Sequence, residues 1–436
     1  MPESIGIGLL GLGVVGTGVA RTLIEKSDTI ARRVGRPLEL RGVLVHDAHR
    51  AREIGGLALT TDASAVLDDP DVRIVVEVLG GEDPAHTYLK RAIAAGRHVV
   101  TANKEVMAKH GPELVAAAAQ AGVDVAYEAS VGGGIPVIGP FKLDLLANDI
   151  SQVTAIINGT TNYIITRMSQ AGLDFESALR EAQAAGYAEP DPRNDVEGID
   201  AAYKLAILAT LAFHARVHPD DVYYEGITSL SPSDFRYARE LGYAIKLLAI
   251  GKQTDSGLEL RVHPTMLPTS SMLANVDGVF NAVQVDGDLV GRILFYGRGA
   301  GAGPTSSAVV ADVIDLAQRL PGEGSSRAPA IAFETRPIRP LRDIHSRYYL
   351  RLVAADRPGV IAAIASILGQ LQISLASVIQ KEDVPAAGPS GTSDDKYAEI
   401  VFMTHEAHEA AIQQARQAIA ELPAVARIGS VIRVED

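Results

Sequence analysis

An acid-rich loop that ends in a lysine is the stretch of this chain best suited to chemistry on a small charged substrate. The 19 residues from Gly186 to Lys204 contain five carboxylates and one lysine. The five acids are Glu189, Asp191, Asp195, Glu197 and Asp200. Carboxylates so placed can hold a substrate ammonium group, and a lysine beside them can pass a proton. The loop is therefore our first candidate for a substrate site.

The spacing of Asp200 and Lys204 predicts that both enter the protein interior. They are four residues apart, so a helix that starts near Ile199 carries them on one face. The residues from Leu205 to Phe213 carry no charge, which is typical of a buried helix. Buried charges are costly unless they pair or take part in chemistry. The alternative is a solvated loop followed by an ordinary ion pair, and the cofactor motif described next favours a site.

A nucleotide-binding motif stands near the amino terminus. Ile5–Leu10 is a short apolar segment typical of a buried strand, and we predict a helix from Val14 to about Ser27. The turn between them carries the Gly-x-Gly-x-x-Gly pattern, whose glycines allow a tight turn, close approach of a pyrophosphate and close helix packing. The candidate cofactor-binding residues of this turn are Gly11, Leu12, Gly13, Val14, Val15 and Gly16.

Residues after the second predicted strand, Leu38–Val45, bear on the choice of cofactor. Asp47 is placed to accept hydrogen bonds from the ribose hydroxyls of NAD. Arg50 and Arg52 are close enough in sequence to contact the 2′-phosphate of NADP instead. The sequence leaves both cofactors open, so we expect NAD or NADP.

Asn103 and Lys104 directly follow another candidate strand, His98–Thr101. In open α/β sheets, ligands bind outside the carboxyl ends of the strands. Lys104 could be an ordinary surface lysine, but its place at this edge favours a role in binding. We predict that the next helix runs from Pro112 to Ala121.

Two glycine-rich segments are further candidates. Three consecutive glycines within Glu128–Pro136 free the backbone to turn its carbonyls in unusual directions. The segment is either a flexible loop or a shell of carbonyl oxygens around a hard cation. We interpret Gly297–Pro304 as the return of the chain to the nucleotide domain, because a predicted helix, Thr305–Arg319, follows at once. A plain linker is the alternative.

The composition restricts the class of protein. The chain has 436 residues, a formal net charge of −13, no cysteine and 5% aromatic residues. This charge provides no broad basic surface for nucleic acid or an anionic membrane. A chain without cysteine fits a reducing cytoplasm. We see no signal peptide and no apolar run near the roughly 20 residues of a membrane span, so we expect a cytoplasmic protein with neither a nucleic-acid nor a membrane partner.

The pattern of elements predicts three domains of α/β and α+β class. Residues 1–130 form a Rossmann-type nucleotide-binding domain, completed by residues 300–325. Residues 131–300 form an α+β domain that carries the acid-rich candidate substrate loop and includes a hairpin turn at Asp286-Gly287. Two segments rich in Pro, Gly, Ser and Arg, Pro321–Arg327 and Pro337–Arg342, mark a boundary. We place a linker at 326–346, followed by a ferredoxin-like βαββαβ domain, 347–436. Pro385–Asp395 is expected to be a long hairpin tip.

The chain resembles the homoserine dehydrogenases over almost its full length. The segments that match this family in order and spacing are Gly11–Gly16, Thr101–Lys104, Glu128–Pro136, Gly186–Lys204 and Gly299–Pro304. The tail resembles an ACT domain, including its Asp356-Arg-Pro-Gly359 turn. The resemblance implies NAD(P)-dependent interconversion of L-homoserine and L-aspartate 4-semialdehyde, on the route to threonine, methionine and isoleucine.

The resemblance also implies roles for individual residues. Lys204 would be the proton donor, with Lys104 as second candidate and Asp200 as the residue that orients Lys204. The substrate would contact Glu189, Asp195, Asp200, Lys104, Gly186 and Tyr187. Beyond the glycine turn, the cofactor would contact Thr101, Lys104, Gly186, Glu189, Gly301 and Gly303. A sodium ion would be held by Glu128, Val131, Gly133 and Ile135, mostly through backbone oxygens.

Further expectations concern assembly and regulation. The resemblance implies a homodimer or homotetramer in which residues 131–300 are both the substrate-binding and the dimerisation domain. It also implies threonine as an effector bound by the ACT domain. The alternative for the tail is a dimerisation module that senses nothing. No kinase-like segment precedes Ile5, so we expect a monofunctional dehydrogenase.

Two other functions fit the sequence less well. An ACT-tailed dehydrogenase of a 2-hydroxy acid needs a catalytic histidine with an arginine, and no such set stands out among the 11 histidines. A non-catalytic amino-acid sensor is disfavoured because Lys104, Glu189, Asp200 and Lys204 are all present.

Overall fold

The computed structural model describes residues 3–47, 56–320, 333–381 and 397–435. Its strands are β1 (Ile5–Leu10), β2 (Leu38–Leu44), β3 (Leu59–Thr60), β4 (Val72–Glu77), β5 (His98–Thr101), β6 (Val125–Ala126), β7 (Ile150–Ile156), β8 (Tyr223–Tyr224), β9 (Tyr243–Thr254), β10 (Gly257–Pro268), β11 (Phe280–Gly287), β12 (Gly291–Arg298), β13 (His345–Ala355), β14 (Leu375–Lys381), β15 (Tyr397–Thr404), β16 (Ala407–His408) and β17 (Val425–Val434). Its α-helices are α1 (Val14–Glu25), α2 (Ser27–Val34), α3 (Ser64–Leu67), α4 (Ala85–Ala94), α5 (Lys104–Ala121), α6 (Ile138–Lys142), α7 (Gly159–Ala171), α8 (Phe175–Ala184), α9 (Arg193–Val196), α10 (Ile199–Ala212), α11 (Pro232–Glu240), α12 (Ala302–Arg319), α13 (Val360–Gln370) and α14 (Glu409–Ala420).

The chain divides into two compact units. The first consists of Met1–Gly159, Asp200–Val222 and Phe280–Arg336, and the second of Thr160–Ile199, Tyr223–Val279 and Pro337–Asp436. Arg50, Arg52, the Pro385–Asp395 hairpin tip and residues 326–332 of the predicted linker lie outside the described residues. Within the described residues, no helix is long and apolar enough to cross a bilayer.

The first unit is built on a parallel sheet in the order β3-β2-β1-β4-β5-β6. This is the strand order of a doubly wound nucleotide-binding sheet. β1 is buried along its whole length, as expected of a strand covered by helices on both faces. The late helix α12 belongs to the same core, since its Val309 and Leu316 pack in one cluster with Leu9 and Val76.

The same unit contains the antiparallel strands β7, β11 and β12. β11 pairs with both of the others. The predicted hairpin turn at Asp286-Gly287 is wrong in position, because Asp286 pairs with Arg292 and Gly287 with Gly291. The turn therefore follows Gly287, and β12 is a strand that the sequence analysis did not predict.

The second unit contains a sheet in the order β9-β10-β17-β13-β15-β14. In its C-terminal part, Tyr348 and Phe402 of the sheet pack with Ile364 of α13 and Ile412 of α14. This βαββαβ arrangement is the predicted ferredoxin-like fold. β9 was not predicted. Its Lys246 interrupts an apolar run, yet it is buried and its ammonium lies 2.8 Å from Asp277.

The predicted start of the helix after β5 is also wrong. α5 begins at Lys104, not Pro112, and Pro112 lies inside it. The helix starts early because Asn103 caps it, its side-chain oxygen accepting the N–H of Val106 at 3.1 Å. Lys104 is therefore the first residue of a helix at the carboxyl end of β5.

Candidate active site

Asp200 is the centre of the candidate site because its carboxylate accepts hydrogen bonds from two lysines. Lys204 Nζ lies 2.7 Å from Asp200 Oδ2, and Lys104 Nζ donates to Oδ1. Asn158 Nδ2 donates to Oδ2 at 2.8 Å. Lys204 also donates to the main-chain oxygen of Ile157 at 2.8 Å. The structure thus brings together three of the candidate residues, all within the first unit.

Burial is graded across this cluster. The side chain of Asp200 is 3% exposed, that of Lys204 13% and that of Lys104 45%. Asp200 and Lys204 are buried because they lie near the start of α10, whose following residues, Leu205–Ala212, are all buried. Lys104 instead projects from the open end of the parallel sheet.

The electrostatics of the cluster favour an anion beside the lysines. Burial by itself raises the pKa of Asp200, but the ammonium groups of Lys204 and Lys104 outweigh it and hold that pKa below its usual value. One carboxylate and two ammonium groups leave an excess of positive charge. Such a site can stabilise negative charge that develops on a substrate oxygen.

The glycine turn fits a dinucleotide. Gly11 has a φ of 105°, and a Cβ there would lie 2.9 Å from the Val78 carbonyl oxygen. A Cβ at Gly16 would lie 2.1 Å from the Gly11 oxygen, whereas a Cβ at Gly13 would meet nothing within 4 Å. The chain itself therefore requires the first and third glycines, and the second faces open space where a pyrophosphate can approach.

The segment around Gly301 and Gly303 adjoins this turn. Gly301 has a φ of 122°, and α12 begins directly after it. Ser306 of α12 donates to the main-chain oxygen of Val15 at 3.2 Å. The amino terminus of α12 therefore packs against the start of α1, so these glycines lie beside the candidate nucleotide turn.

The candidate cation loop is tightly organised. The Glu128 carboxylate accepts the N–H groups of Val137, Ile138 and Gly139 at 2.5, 2.9 and 2.6 Å. Gly133 has a φ of 54° and packs so closely that an added Cβ would lie 2.3 Å from the Gly299 oxygen. Because the Glu128 side chain already binds backbone N–H groups, a cation here would rely on main-chain oxygens. Val131 and Ile135 are buried in the same loop.

Residues 186–199 of the acid-rich loop belong to the second unit. Gly186 follows α8 with a φ of 74°. Tyr187 accepts a hydrogen bond from Thr160 through its main-chain oxygen at 2.7 Å, and its ring is 44% exposed. Glu189 is exposed, and Asp195 is half-buried in the short helix α9. The side chains of Glu189 and Tyr187 are therefore open to solvent in this structure.

Comparison with known proteins decides the family. Models of the homoserine dehydrogenase NAD-binding domain, homoserine dehydrogenase and the ACT domain match residues 11–128, 136–314 and 348–424. A homoserine dehydrogenase of Pseudomonas aeruginosa is 43% identical over 99% of this chain and 98% of its own length. The chain belongs to the homoserine dehydrogenase family.

Solved structures agree with this assignment. The crystal structure of a homoserine dehydrogenase from Thiobacillus denitrificans matches with a TM-score of 0.92 and 44% identity, covering 100% of this chain and 99% of that one. A hyperthermophilic archaeal homoserine dehydrogenase in complex with NADPH matches with a TM-score of 0.63 and 26% identity, covering 73% and 99%. The predicted family, fold class and enzyme class are confirmed, so the chain is an NAD(P)-dependent oxidoreductase with a C-terminal ACT domain.

Sequence reasoning missed two polar residues of the enzyme's site region. Asn158 lies two residues after the end of β7, and this position at a strand end is a signal that could have marked it. Glu77 ends β4 and is fully buried. A carboxylate at the end of an apolar strand is the signal that could have marked this residue.

Proposed function

We propose that this homoserine dehydrogenase interconverts L-homoserine and L-aspartate 4-semialdehyde with Lys204 as the residue that moves the proton. The observation that carries the proposal is the buried Asp200 carboxylate, which holds two lysine ammonium groups side by side. Reduction of an aldehyde develops negative charge on its oxygen, and a fixed ammonium both stabilises and protonates that oxygen.

Each residue of the cluster has a separate task in this proposal. Lys204 donates a proton from Nζ to the aldehyde oxygen, and recovers it from the homoserine hydroxyl in the reverse direction. Asp200 and the Ile157 carbonyl oxygen hold Lys204 in place. Lys104, which is more exposed, contacts substrate and cofactor and is the second candidate for the proton. NAD(P), when bound, supplies or accepts the hydride.

The acid-rich loop is proposed to recognise the amino acid. Glu189 binds the substrate ammonium group, and Asp195 completes the polar pocket with Gly186 and Tyr187. The exposure of Glu189 and Tyr187 supports this role, because both side chains are open to a ligand.

Cofactor binding is assigned to the turn Gly11–Gly16, with Thr101, Lys104, Gly186, Glu189, Gly301 and Gly303. The open space beside Gly13 supports the turn as the pyrophosphate site. The NADPH complex of the archaeal relative supports NADP, and Asp47 is placed for NAD, so both cofactors are proposed.

A sodium ion is proposed in the loop formed by Glu128, Val131, Gly133 and Ile135. Main-chain oxygens are hard donors that suit such a cation. Turnover measured in sodium chloride and in a bulky ammonium salt at equal ionic strength tests this proposal. Equal rates in both salts would contradict a required sodium ion.

The remaining expectations are proposals about the whole chain. The proposed domains are the nucleotide-binding domain, 1–130 with 300–325, the substrate-binding and dimerisation domain, 131–300, the linker, 326–346, and the ACT domain, 347–436. The proposed assembly is a homodimer or homotetramer. Threonine is the proposed ACT effector, and a cavity of about 340 Å³ lined by Asp356, Pro358 and Gly359 supports a small ligand there. A cytoplasmic location remains a prediction from the cysteine-free composition.

One assay tests the reaction and the effector together. L-Aspartate 4-semialdehyde should drive oxidation of NADPH or NADH, measured in parallel with and without threonine. A 2-hydroxy acid with the oxidised cofactors is the control for the alternative dehydrogenase. Turnover of the hydroxy acid without turnover of the semialdehyde would contradict the proposal, and a rate unchanged by threonine would contradict only the effector.

A further inference from the structure

A buried glutamate lies at the cofactor edge of the parallel sheet, and the proton transfer proposed above does not use it. Glu77 is the last residue of β4 and is fully buried. In the sheet register it lies between Leu10 of β1 and Thr101 of β5. The winding of the sheet reverses between β1 and β4, which is the point where such folds bind their ligands.

The Glu77 carboxyl group joins the segments that leave β4 and β5. Thr101 Oγ1 donates to its Oε2 at 2.5 Å, and the Leu79 N–H donates to its Oε1 at 2.7 Å. Asn103 Nδ2 lies 3.4 Å from Oε1. Burial raises the pKa of Glu77, and these hydrogen bonds act against that rise. All three partners are donors, so a side chain with two acceptor oxygens suits this position.

Thr101 and Asn103 extend this anchoring to the first turn of α5. The Asn103 N–H donates to Thr101 Oγ1 at 2.9 Å, and Asn103 Oδ1 caps the helix through Val106. Asn103 Nδ2 also donates to the Gly81 oxygen at 2.7 Å, which ties the loop after β4 to the same point. Lys104 follows Asn103 directly, so these bonds fix the backbone from which its ammonium reaches Asp200.

We infer that Glu77 is the positioning residue for Lys104, fixing the turn between β5 and α5 so that Lys104 meets Asp200. This inference rests on the proposed role of Lys104 in the reaction. The proposed role of Glu77 involves no contact with the substrate. Glu77 acts only through Thr101, Asn103 and the start of α5. The geometry of reacting groups is sensitive at this scale, because a displacement of about 1 Å can cost 100-fold in rate.

A double-mutant cycle tests this role. Glu77→Gln keeps the shape of the side chain but replaces an acceptor oxygen with a donor. We expect it to lower kcat/KM for homoserine oxidation about tenfold in the native background. In the Lys104→Ala background the same change should cost less than about twofold, because the group it positions is gone. Far-UV circular dichroism of each variant verifies that it is folded at the assay temperature.

The controls separate this inference from a general effect on folding. Glu409→Gln alters another buried glutamate, in the ACT domain, and its effect should be the same in both backgrounds. Glu77→Asp supplies a second cycle, which decides the matter if Glu77→Gln does not fold. Equal losses in both backgrounds would overturn the role of Glu77 while leaving the proposed function intact. No homoserine oxidation by the native enzyme would overturn both.

Discussion

Asp200 determines where two lysines can act. Its carboxylate accepts from Lys104 and Lys204 on separate oxygens, and from Asn158 as well. A buried ion pair is poor evidence for stability, because desolvation offsets much of the attraction. A catalytic role explains this buried ion pair better, because Asp200 holds two lysine ammonium groups at the first turn of the apolar helix α10.

Removal of the Asp200 charge should damage both turnover and stability. Asp200→Asn leaves two ammonium groups beside each other with a neutral amide, so we expect kcat to fall by at least about tenfold. The same change breaks a buried pair, which costs roughly 3–5 kcal/mol of unfolding free energy. Steady-state kinetics and urea unfolding at pH 7 measure the two effects. An unchanged kcat would contradict the proposed role.

The stability difference should also depend on pH. The folded pKa of Asp200 is lowered, while the unfolded chain titrates near its ordinary value of about 3.9. The contribution of the charge is therefore complete above about pH 4 and is lost as the pH falls through the lower folded pKa. The urea midpoints of the native chain and Asp200→Asn should converge at acid pH. A constant difference would contradict a charged, paired Asp200.

At the scale of residues, the sequence predicted the pairing of Asp200 with Lys204 but not the other polar residues of the site. Asp200 and Lys204 are four residues apart on a helix, so local geometry alone places them together. Asn158 comes from a strand end far from α10 in sequence, and such a contact depends on tertiary packing. Glu77 is equally remote from Lys104 along the chain. No periodicity in the sequence marks either partner.

Among the elements, the turn between β1 and α1 shows that its glycines serve different purposes. A Cβ at Gly16 would press against the Gly11 oxygen at 2.1 Å, whereas one at Gly13 has open space. The clash at Gly16 is with the protein's own backbone, so a side chain there affects folding. Gly13 faces the expected ligand, so a side chain there affects binding.

Two alanine substitutions should separate these purposes. Gly16→Ala should lower the thermal midpoint by several degrees, because backbone at 2.1 Å has to move. Gly13→Ala should leave the midpoint nearly unchanged but weaken NADPH binding by at least about tenfold. Thermal unfolding and fluorescence titration with NADPH measure these effects. Unaltered NADPH affinity of Gly13→Ala would contradict the pyrophosphate site.

The elements were predicted well where local signals were strong. β1 and β5 have the predicted limits because apolar runs and flanking turns bound them. The start of α5 was missed because Pro112 resembles a first-turn proline, while the effective signal was the Asn103 cap. β9 was missed because Lys246 breaks its apolar pattern, and the Asp277 carboxylate that pairs with this lysine is 31 residues away in sequence.

At the scale of the whole molecule, buried ion pairs connect the sheet of the ACT domain to the helix α11. Within the second unit, Arg351 of β13 donates to Asp234 of α11 at 2.7 Å and to Glu399 of β15 at 3.0 Å. Ser231 accepts a further bond from Arg351 at 2.8 Å. The arginine side chain is 3% exposed. Arg351 therefore bridges two buried carboxylates, one of which, Glu399, also accepts a hydrogen bond from Arg236 at 3.0 Å.

Removal of that cation should destabilise the second unit. Arg351→Met removes the arginine that pairs with the buried Asp234 and leaves Glu399 with Arg236 and Tyr237 only, which costs roughly 3–5 kcal/mol. Arg416→Met, at an exposed position on α14, is the matched control and should change stability by less than about 0.5 kcal/mol. Thermal unfolding followed by circular dichroism compares the two variants. Equal midpoints would show that the network contributes little.

Replacement of Lys204 separates proton transfer from cofactor binding. Lys204→Ala should lower kcat for semialdehyde reduction by about 100-fold to 10,000-fold, because the proton donor is lost. Its dissociation constant for NADPH should stay within about threefold of the native value, since other residues cradle the cofactor. Lys90→Ala, which alters an exposed lysine paired with Glu113, should match the native enzyme in both measurements. A comparable loss of turnover and NADPH affinity in Lys204→Ala, or no loss of turnover, would contradict proton transfer by Lys204.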